Sequence, residues 1–495
     1  MNNSVKLNGL YTEPGQLPGF ELARSRIIEG FPDPCRAVDL PVASAIGRIL
    51  AMPVRAGFAV PSADVAEVDG IAVASRDTTG ATAHRPVVIE AGTRVDTGRA
   101  LPPGTDAVIP IEHCLDGGTR LVLEAPVIPG DGVRRAGTEL EAGAVLLTCG
   151  HRLRPLDVGP LVAAGVTRVQ VRTVRVGVVP TGGELVPPGT VPGPGESVAS
   201  NPVAIGALLS PQGAETVAHA VVPDDPAMVR AAILALCPEV DLVVVCGGSG
   251  RGSRDVAFGV VRSLGEIVLD GVAARPGRAF LVVRAGRTPV VALPGRAQPV
   301  GLLTEYFLRP LIESWGLPGV PLHRARARLG VAIESHPRFT EMVPLSVAVV
   351  GDRTVGIQQP RGRRGTQSQF RANARLLVPE GVAGHDAGDE VEVELLDDPS
   401  GPGETVLVVG AVDGLEIAST GYRVAMVPCR DRPELAALLD RADCHLAVTT
   451  EPPGGPGPSW PLRREGACDL WFAAPAGLAD DPKVLALLTA LGITR

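Results

Sequence analysis

The chain has 495 residues and a net charge of −8, so it is too long for one ordinary core and has no basic excess for general nucleic-acid binding. Hydrophobic residues make up 45% and aromatics 3%, which makes a core of Val, Leu, Ala and Ile the expectation. The eight cysteines contain no CxxC pair, which speaks against a zinc site or disulfide framework and for small buried hydrophobes in a reducing compartment.

At the N-terminus, MNNSVKLNGLYTEPG has no apolar leader, and no run reaches about 18 apolar residues, so a cytoplasmic protein without a membrane span is expected. The helix-like spacing of apolar residues in VDLPVASAIGRILAMPV (38–54) predicts a helix ending at Pro53. RPVVIEAG (85–92), DAVIPIEHC (106–114), TRLVLEAPV (119–127) and GAVLLTCG (143–150) alternate with turn residues and predict a β-rich lobe.

From Arg172 the texture changes to apolar strands alternating with helices. RTVRVGVVPTGGEL (172–185) reads as a strand entering a Gly-rich turn, and NPVAIGALLSPQGAETV (201–217) as a helix and the start of a strand. DDPAMVRAAILALC (224–237) reads as an Asp-capped helix, VDLVVVCGG (240–248) as a buried strand, and DVAFGVVRSLG (255–265) as a helix. RAFLVVRAGRTPVVALPG (278–295) holds two more strands, and QPVGLLTEYFLRPLIESWG (298–316) a long helix. This order predicts a parallel sheet covered on both faces. From His323 to about Asp397 the pattern is β again, fitting a small barrel or sandwich, and the polar linker DDPSGPGET (397–405) leads into a further α/β-like stretch.

The strongest local signal is CGGSGRGSRD (246–255). Its glycines Gly247, Gly248 and Gly250, with Ser249, follow a buried strand and precede a helix, where backbone N–H groups can cradle an anion. Asp255 is either a ligand there or an ordinary helix cap. Three more loops end strands of the same sheet: PTGGEL with Glu184, ARPGRAF with Arg275 and Arg278, and LPGRAQP with Arg296. Guanidinium groups suit phosphate or another oxyanion, and carboxylates beside them suit a divalent cation. All but two of the 46 cationic residues are arginine, so compositional bias weakens any argument from Arg instead of Lys. In the first lobe, polar loops hold Asp69, Thr97, and Arg134 with Glu139.

These loops, in this order from about Val38 to Asp397, resemble the MoeA/gephyrin E-domain family of molybdopterin molybdenumtransferases. The middle α/β unit resembles the MogA-type molybdopterin-binding domain. The matching stretches include GRILAMPVRAGFAVPSADVAEVDGIAV, DTGRALPPGTDAVIPIEHC, VRRAGTELEAGAVLLTCGHRL, VRVGVVPTGGELVPPG, RPGRAF, LPGRAQPVG and FRANARLLVPEG. The resemblance implies a multidomain α/β plus β chain. Its parts would be an N-terminal helical segment (16–54, with 151–171), an inserted β-rich lobe (55–150), a MogA-like parallel α/β domain (172–317) and a β-barrel (322–397). The remainder, 403–495, resembles the periplasmic-binding-protein-like domain of some relatives, at about half the length a two-lobed clamp needs.

The reaction implied is insertion of molybdate into adenylylated molybdopterin with release of AMP, assisted by Mg²⁺ or another divalent cation. A cytoplasmic homodimer is implied, with a MogA-type adenylyltransferase and apo-molybdoenzymes as possible partners. By motif, Asp69, Glu184 and Asp255 would serve catalysis and the cation. Thr97, Arg134, Glu139, Gly247, Gly248, Ser249, Gly250, Arg275 and Arg278 would bind substrate. Two acids of the family pattern are replaced, at Gly183 and Ser253. This leaves a second reading open, a paralogue that binds molybdopterin as carrier, scaffold or sensor. A third is a nucleotide-processing enzyme on the same fold.

Overall fold

A computed structural model describes residues 17–34, 36–89, 92–113, 121–248, 256–361, 365–396, 398–411, 420–429, 432–450, 457–462, 470–491 and 493. The chain forms two compact units, residues 35–173 with 316–318, and the remainder.

In the smaller unit, residues 38–54 are not the expected helix. They form the strand Ala37–Pro41, a 3-10 turn Val42–Ala45, and extended chain up to the strand Val54–Arg55. Pro41 and the left-handed Gly47 (φ 81°) interrupt the run, and its β-branched residues fit a pleat better than a helix. The strand Ala37–Pro41 pairs antiparallel with Arg168–Arg172, and Val42, Ala45 and Leu50 pack with Leu161 and Val171 beside the helix Pro155–Ala163. The β-rich lobe holds the three-stranded sheet Thr93–Val95, Gly70–Val73, Ala107–Pro110 and two short antiparallel ladders. One ladder pairs Val65–Ala66 with Val133–Arg134.

The larger unit is built around a six-stranded sheet. Its order is Ala214–Ala218, Val174–Pro180, Leu242–Cys246, Thr288–Leu293, Leu281–Ala285, Glu266–Asp270. The first four strands are parallel, as expected, but Leu281–Ala285 runs antiparallel to both of its neighbours. The reason is local: Leu281–Ala285 and Thr288–Leu293 are joined by the two-residue turn Gly286–Arg287, too short for a crossover. On one face, Val243, Val245 and Val290 pack against Ile233 and Val261 of the helices Pro226–Leu236 and Val256–Arg262. The long helix predicted over 298–316 runs as Ala297–Leu303, a π-turn Thr304–Leu308 and Arg309–Ser314. The helix Phe20–Gly30 docks on it, with Phe20 edge-on to Tyr306 and Phe307.

The barrel is closed by five strands. Thr340–Val350 pairs on one side with Arg353–Gln358 and on the other with Ala374–Val378, and His323–Leu329 and Glu390–Leu395 complete the ring. The short strand Ala274–Arg275 adds in parallel to Thr340–Glu341, carrying a loop of the α/β sheet onto the barrel.

The C-terminal layer is a five-stranded sheet in the order Arg423–Pro428, Thr405–Gly410, Leu446–Thr449, Leu470–Ala473, Ser459–Leu462. Its helices are Arg432–Asp440 and Pro482–Ala490. Among the described residues, one of its two apolar clusters is shared with the barrel, where Val350, Val355 and Ile357 pack with Leu407, Val409, Val427 and Leu438 of the layer; the other, with Val406, Val448, Phe472 and Leu487, belongs to the layer alone.

Candidate functional site

The carboxyl ends of the parallel strands are tied into one platform by their own loops. Thr181 N–H donates to Cys246 O, Gly182 N–H to Val222 O, and Gly247 N–H to Leu293 O. Gly295 N–H reaches Gly248 O at 3.1 Å. The chain at Gly247 must be glycine, because a Cβ there would stand 2.2 Å from Thr181 O. Gly248 takes a left-handed φ of 70°. Ser249, Gly250 and Asp255 lie outside the described residues. Glu184 projects from the turn after Val174–Pro180 and is exposed. Beside it, a Cβ on Gly183 would meet nothing within 4 Å, so no neighbour has filled the space of the replaced acid.

Two residues of this platform carried no signal of their own in the sequence reading. Thr181 is buried and its hydroxyl donates to Asp224 at 3.0 Å, while the helix cap is Asp225, which accepts from Ala227 and Met228 N–H at 2.9 Å each. Asn201, also buried, donates to Gly295 O at 2.9 Å, and its Oδ1 has no partner. The run SNP before an apolar helix reads as an ordinary helix start and carries no mark of a site.

Next to the platform lies a cavity of about 500 Å³ between the α/β sheet and the barrel. Arg275, Arg296 and Arg361 line it, with Glu341, Gln298 and Thr366. Glu341 is 7% exposed and holds two of these cations: Arg275 Nη1 lies 3.6 Å from its Oε1, and Arg361 Nη1 bonds its Oε2. Arg275 also lies over the Phe339 ring, 4.2 Å from the centroid. Arg361 donates further to Glu334 O at 2.6 Å and to Gln358 Oε1 at 3.3 Å. Three guanidinium groups against one internal carboxylate leave a net positive cavity, suited to a compact oxyanion. Arg275 was singled out from sequence. Arg278, three residues on, is half-buried and does not line this cavity. Arg361 and Thr366 were missed, although the Gly/Arg-rich RGRRGT (361–366) is the signal that could have found them.

In the β-rich lobe, the loop residues form two pairs. Asp69 accepts from Thr97 N–H at 2.7 Å and from its hydroxyl at 2.8 Å, both on Oδ1. The Thr97 backbone bond first, then its side-chain bond and the charge of Arg94, hold the Asp69 carboxyl below the usual carboxylate range. Arg134 forms an ion pair with Glu139. Both pairs flank the strand Val65–Ala66, which pairs with Val133–Arg134 and accepts Gly98 N–H at Ala66 O.

Among the described residues no three His, Cys, Asp or Glu side chains gather as a metal cage. Asp69 and Glu184 are single exposed carboxylates, which fits a hard cation that takes most of its oxygen ligands from phosphate and water.

Residues 19–165 match the MoeA N-terminal region (domain I and II), and residues 177–314 match a probable molybdopterin binding domain. A molybdopterin molybdenumtransferase of Haemophilus influenzae is 30% identical over 308 residues, 59% of this chain and 76% of that protein. Molybdopterin molybdenumtransferase 2 of Mycobacterium tuberculosis is 29% identical over 394 residues, 74% of this chain and 97% of that protein. Among solved structures, a molybdopterin biosynthesis MoeA protein from Pyrococcus horikosii aligns with a TM-score of 0.59 at 28% identity, covering 77% of this chain and all of that one. These relatives favour the enzyme over the carrier reading.

Proposed function

The chain belongs to the molybdopterin molybdenumtransferase family, and from that premise we propose that it inserts molybdate into adenylylated molybdopterin with release of AMP. The observation that carries this reading is the cavity in which Arg275, Arg296 and Arg361 converge beside the strand-end platform. A compact dianion such as molybdate is the ligand this charge pattern favours. We propose that Gly247 and Gly248 of the platform, together with Ser249, Gly250, Asp255 and Arg278, bind the pterin phosphates. In the reaction, water attacks the phosphoanhydride, the P–O–P bond breaks, and AMP leaves; the two dithiolene sulfurs bond to the molybdenum of molybdate, which stays at +6, while one of its oxo groups leaves as water with the two thiol protons. The arginines stabilise charge that grows on the oxyanions, a kind of electrostatic term that commonly dominates catalysis.

We propose Asp69, Glu184 and Asp255 as catalytic, cation-binding carboxylates, for Mg²⁺ or another divalent ion. When bound, that ion would neutralise phosphate charge. Thr97 keeps the Asp69 carboxylate ionised and oriented, and Arg134 with Glu139 shapes the β-rich lobe for substrate. The proposed division is a helical segment 16–54 with 151–171, a lobe 55–150, a ligand domain 172–317, a barrel 322–397 and a C-terminal domain 403–495. Further parts of the proposal are a cytoplasmic homodimer, supply of substrate by a MogA-type adenylyltransferase, and delivery to apo-molybdoenzymes. Among the described residues no helix is long and apolar enough to cross a membrane.

The test is AMP release from adenylylated molybdopterin with molybdate and Mg²⁺. Molybdate-dependent release that is lost in Arg361→Ala and in Asp69→Ala supports the reading. Tight binding of the adenylate with no AMP release under any cation tried would replace it by the carrier.

A further inference from the structure

We propose that the C-terminal layer is a working part of the oxyanion cavity, and that Gln359 is the positioning residue through which it sets Arg361. The proposal rests on the reading of that cavity as the molybdate site.

Arg361 leaves the barrel on a short loop after the strand Arg353–Gln358, and two residues before it stands Gln359. Gln359 is fully buried. Its Nε2 donates to Met426 O at 2.9 Å and to Ser346 Oγ at 2.8 Å, and its backbone N–H donates to Pro344 O at 2.9 Å. Met426 belongs to Arg423–Pro428, the edge strand of the C-terminal layer, whereas Ser346 and Pro344 belong to the barrel. One amide therefore ties the loop to both bodies at once. The amide cannot be turned round without setting its oxygen against Met426 O, so its orientation is determined. Its Oε1 has no partner. A buried amide with an unmet acceptor is costly, and the position serves no barrel closure that an apolar residue could not supply.

Arg361 also borders the layer. A second cavity, of about 330 Å³, lies between barrel and layer, and Arg361 and Gln358 line it together with Val427, Cys429 and Leu438. Arg361 thus lines both the oxyanion cavity and the cavity against the layer. Its bonds to Glu341, Glu334 O and Gln358 aim the fork, while Gln359 fixes the height of the loop against the layer. Because Val355 and Ile357 of the barrel pack with Leu407 and Leu438 of the layer, removing the layer would expose that apolar surface, so the role is tested by point variants in the full chain.

The experiment compares Gln359→Met and Gln359→Asn with wild type, Lys483→Met and Arg361→Ala. Lys483 anchors the layer elsewhere, donating to Val349 O at 3.1 Å and Thr405 O at 3.2 Å. Steady-state AMP release is measured with molybdate varied at saturating adenylate, and binding of molybdate alone by calorimetry. Met removes both side-chain donors, and Asn keeps an amide that no longer reaches Met426. Both are expected to raise the KM and Kd for molybdate about tenfold with kcat within about twofold, the scale of a small misplacement of a binding group. Lys483→Met is expected to lower Tm and leave the molybdate KM unchanged. A folded Gln359 variant with wild-type KM and Kd overturns the proposal, as does an equal KM shift in Lys483→Met. If Arg361→Ala itself keeps wild-type molybdate dependence, the reading of the cavity fails instead.

Discussion

Thr97 gives both of its donors to one oxygen of Asp69, the backbone N–H at 2.7 Å and the hydroxyl at 2.8 Å. The second oxygen of Asp69 takes neither of these bonds, and the carboxylate stays ionised because both bonds stabilise its charged form.

Thr97→Val removes the hydroxyl bond and keeps the backbone one. The Asp69 pKa is then expected to rise part of the way to its ordinary value, read by NMR titration of the side chain. The folded pKa of Asp69 is depressed, so its contribution to stability is present above the unfolded value near 3.9 and is lost as pH falls through the folded value. An unchanged Asp69 titration in the variant would show that the hydroxyl bond does not hold the carboxylate.

Arg275 is tested by two substitutions. Alanine removes both the charge and the stacking on Phe339, and a loss of about 10²-fold in kcat/KM is expected, the scale for deleting one stabilising donor. Lysine keeps the charge and loses the planar fork, so an intermediate loss is expected. Equal losses in both would place the importance in the planar guanidinium fork and its stacking, and not in charge.

Gly247→Ala would press a Cβ to 2.2 Å from Thr181 O, a clash with backbone that no rotamer relieves. A destabilisation of about 2 kcal/mol is expected, as for an overpacked site, together with loss of substrate binding. Urea unfolding of the variant measures the first and adenylate binding the second. A variant with wild-type stability would mean that the strand-end loops separate more easily than their hydrogen bonds suggest.

His445 lies fully buried in the C-terminal layer and accepts Leu407 N–H on Nδ1 at 3.0 Å. Burial first, then the nearby charge of Lys483, lowers its pKa to about 4. The unfolded state binds a proton near pH 6.5 that the folded state refuses until about pH 4, so stability is expected to fall as pH drops through this window. The loss amounts to about 3 kcal/mol over the window. In His445→Gln that part of the pH dependence should vanish, as read from urea midpoints at pH 7 and pH 4.5.

The sequence by itself determined most of the architecture. Runs such as Leu242–Cys246 are apolar at every position, which only a doubly covered strand tolerates, and the alternation of such runs with helices set the α/β unit. The strand-end loops with Gly247, Glu184 and Arg275 were legible because glycine, acid and arginine recur there in a collinear order. The segment 38–54 misled because its apolar spacing matches a helix, while Pro41, Gly47 and pairing with Arg168–Arg172 make it extended. What only the tertiary structure decided is which distant groups share a space. Glu341 lies 66 residues beyond Arg275 and 20 before Arg361, and it meets both because Ala274–Arg275 joins the barrel in register with Thr340–Glu341. Gln359 and Met426 are likewise joined by packing. Such pairings depend on the register of strands far apart in the chain, and local residue patterns carry no record of that register.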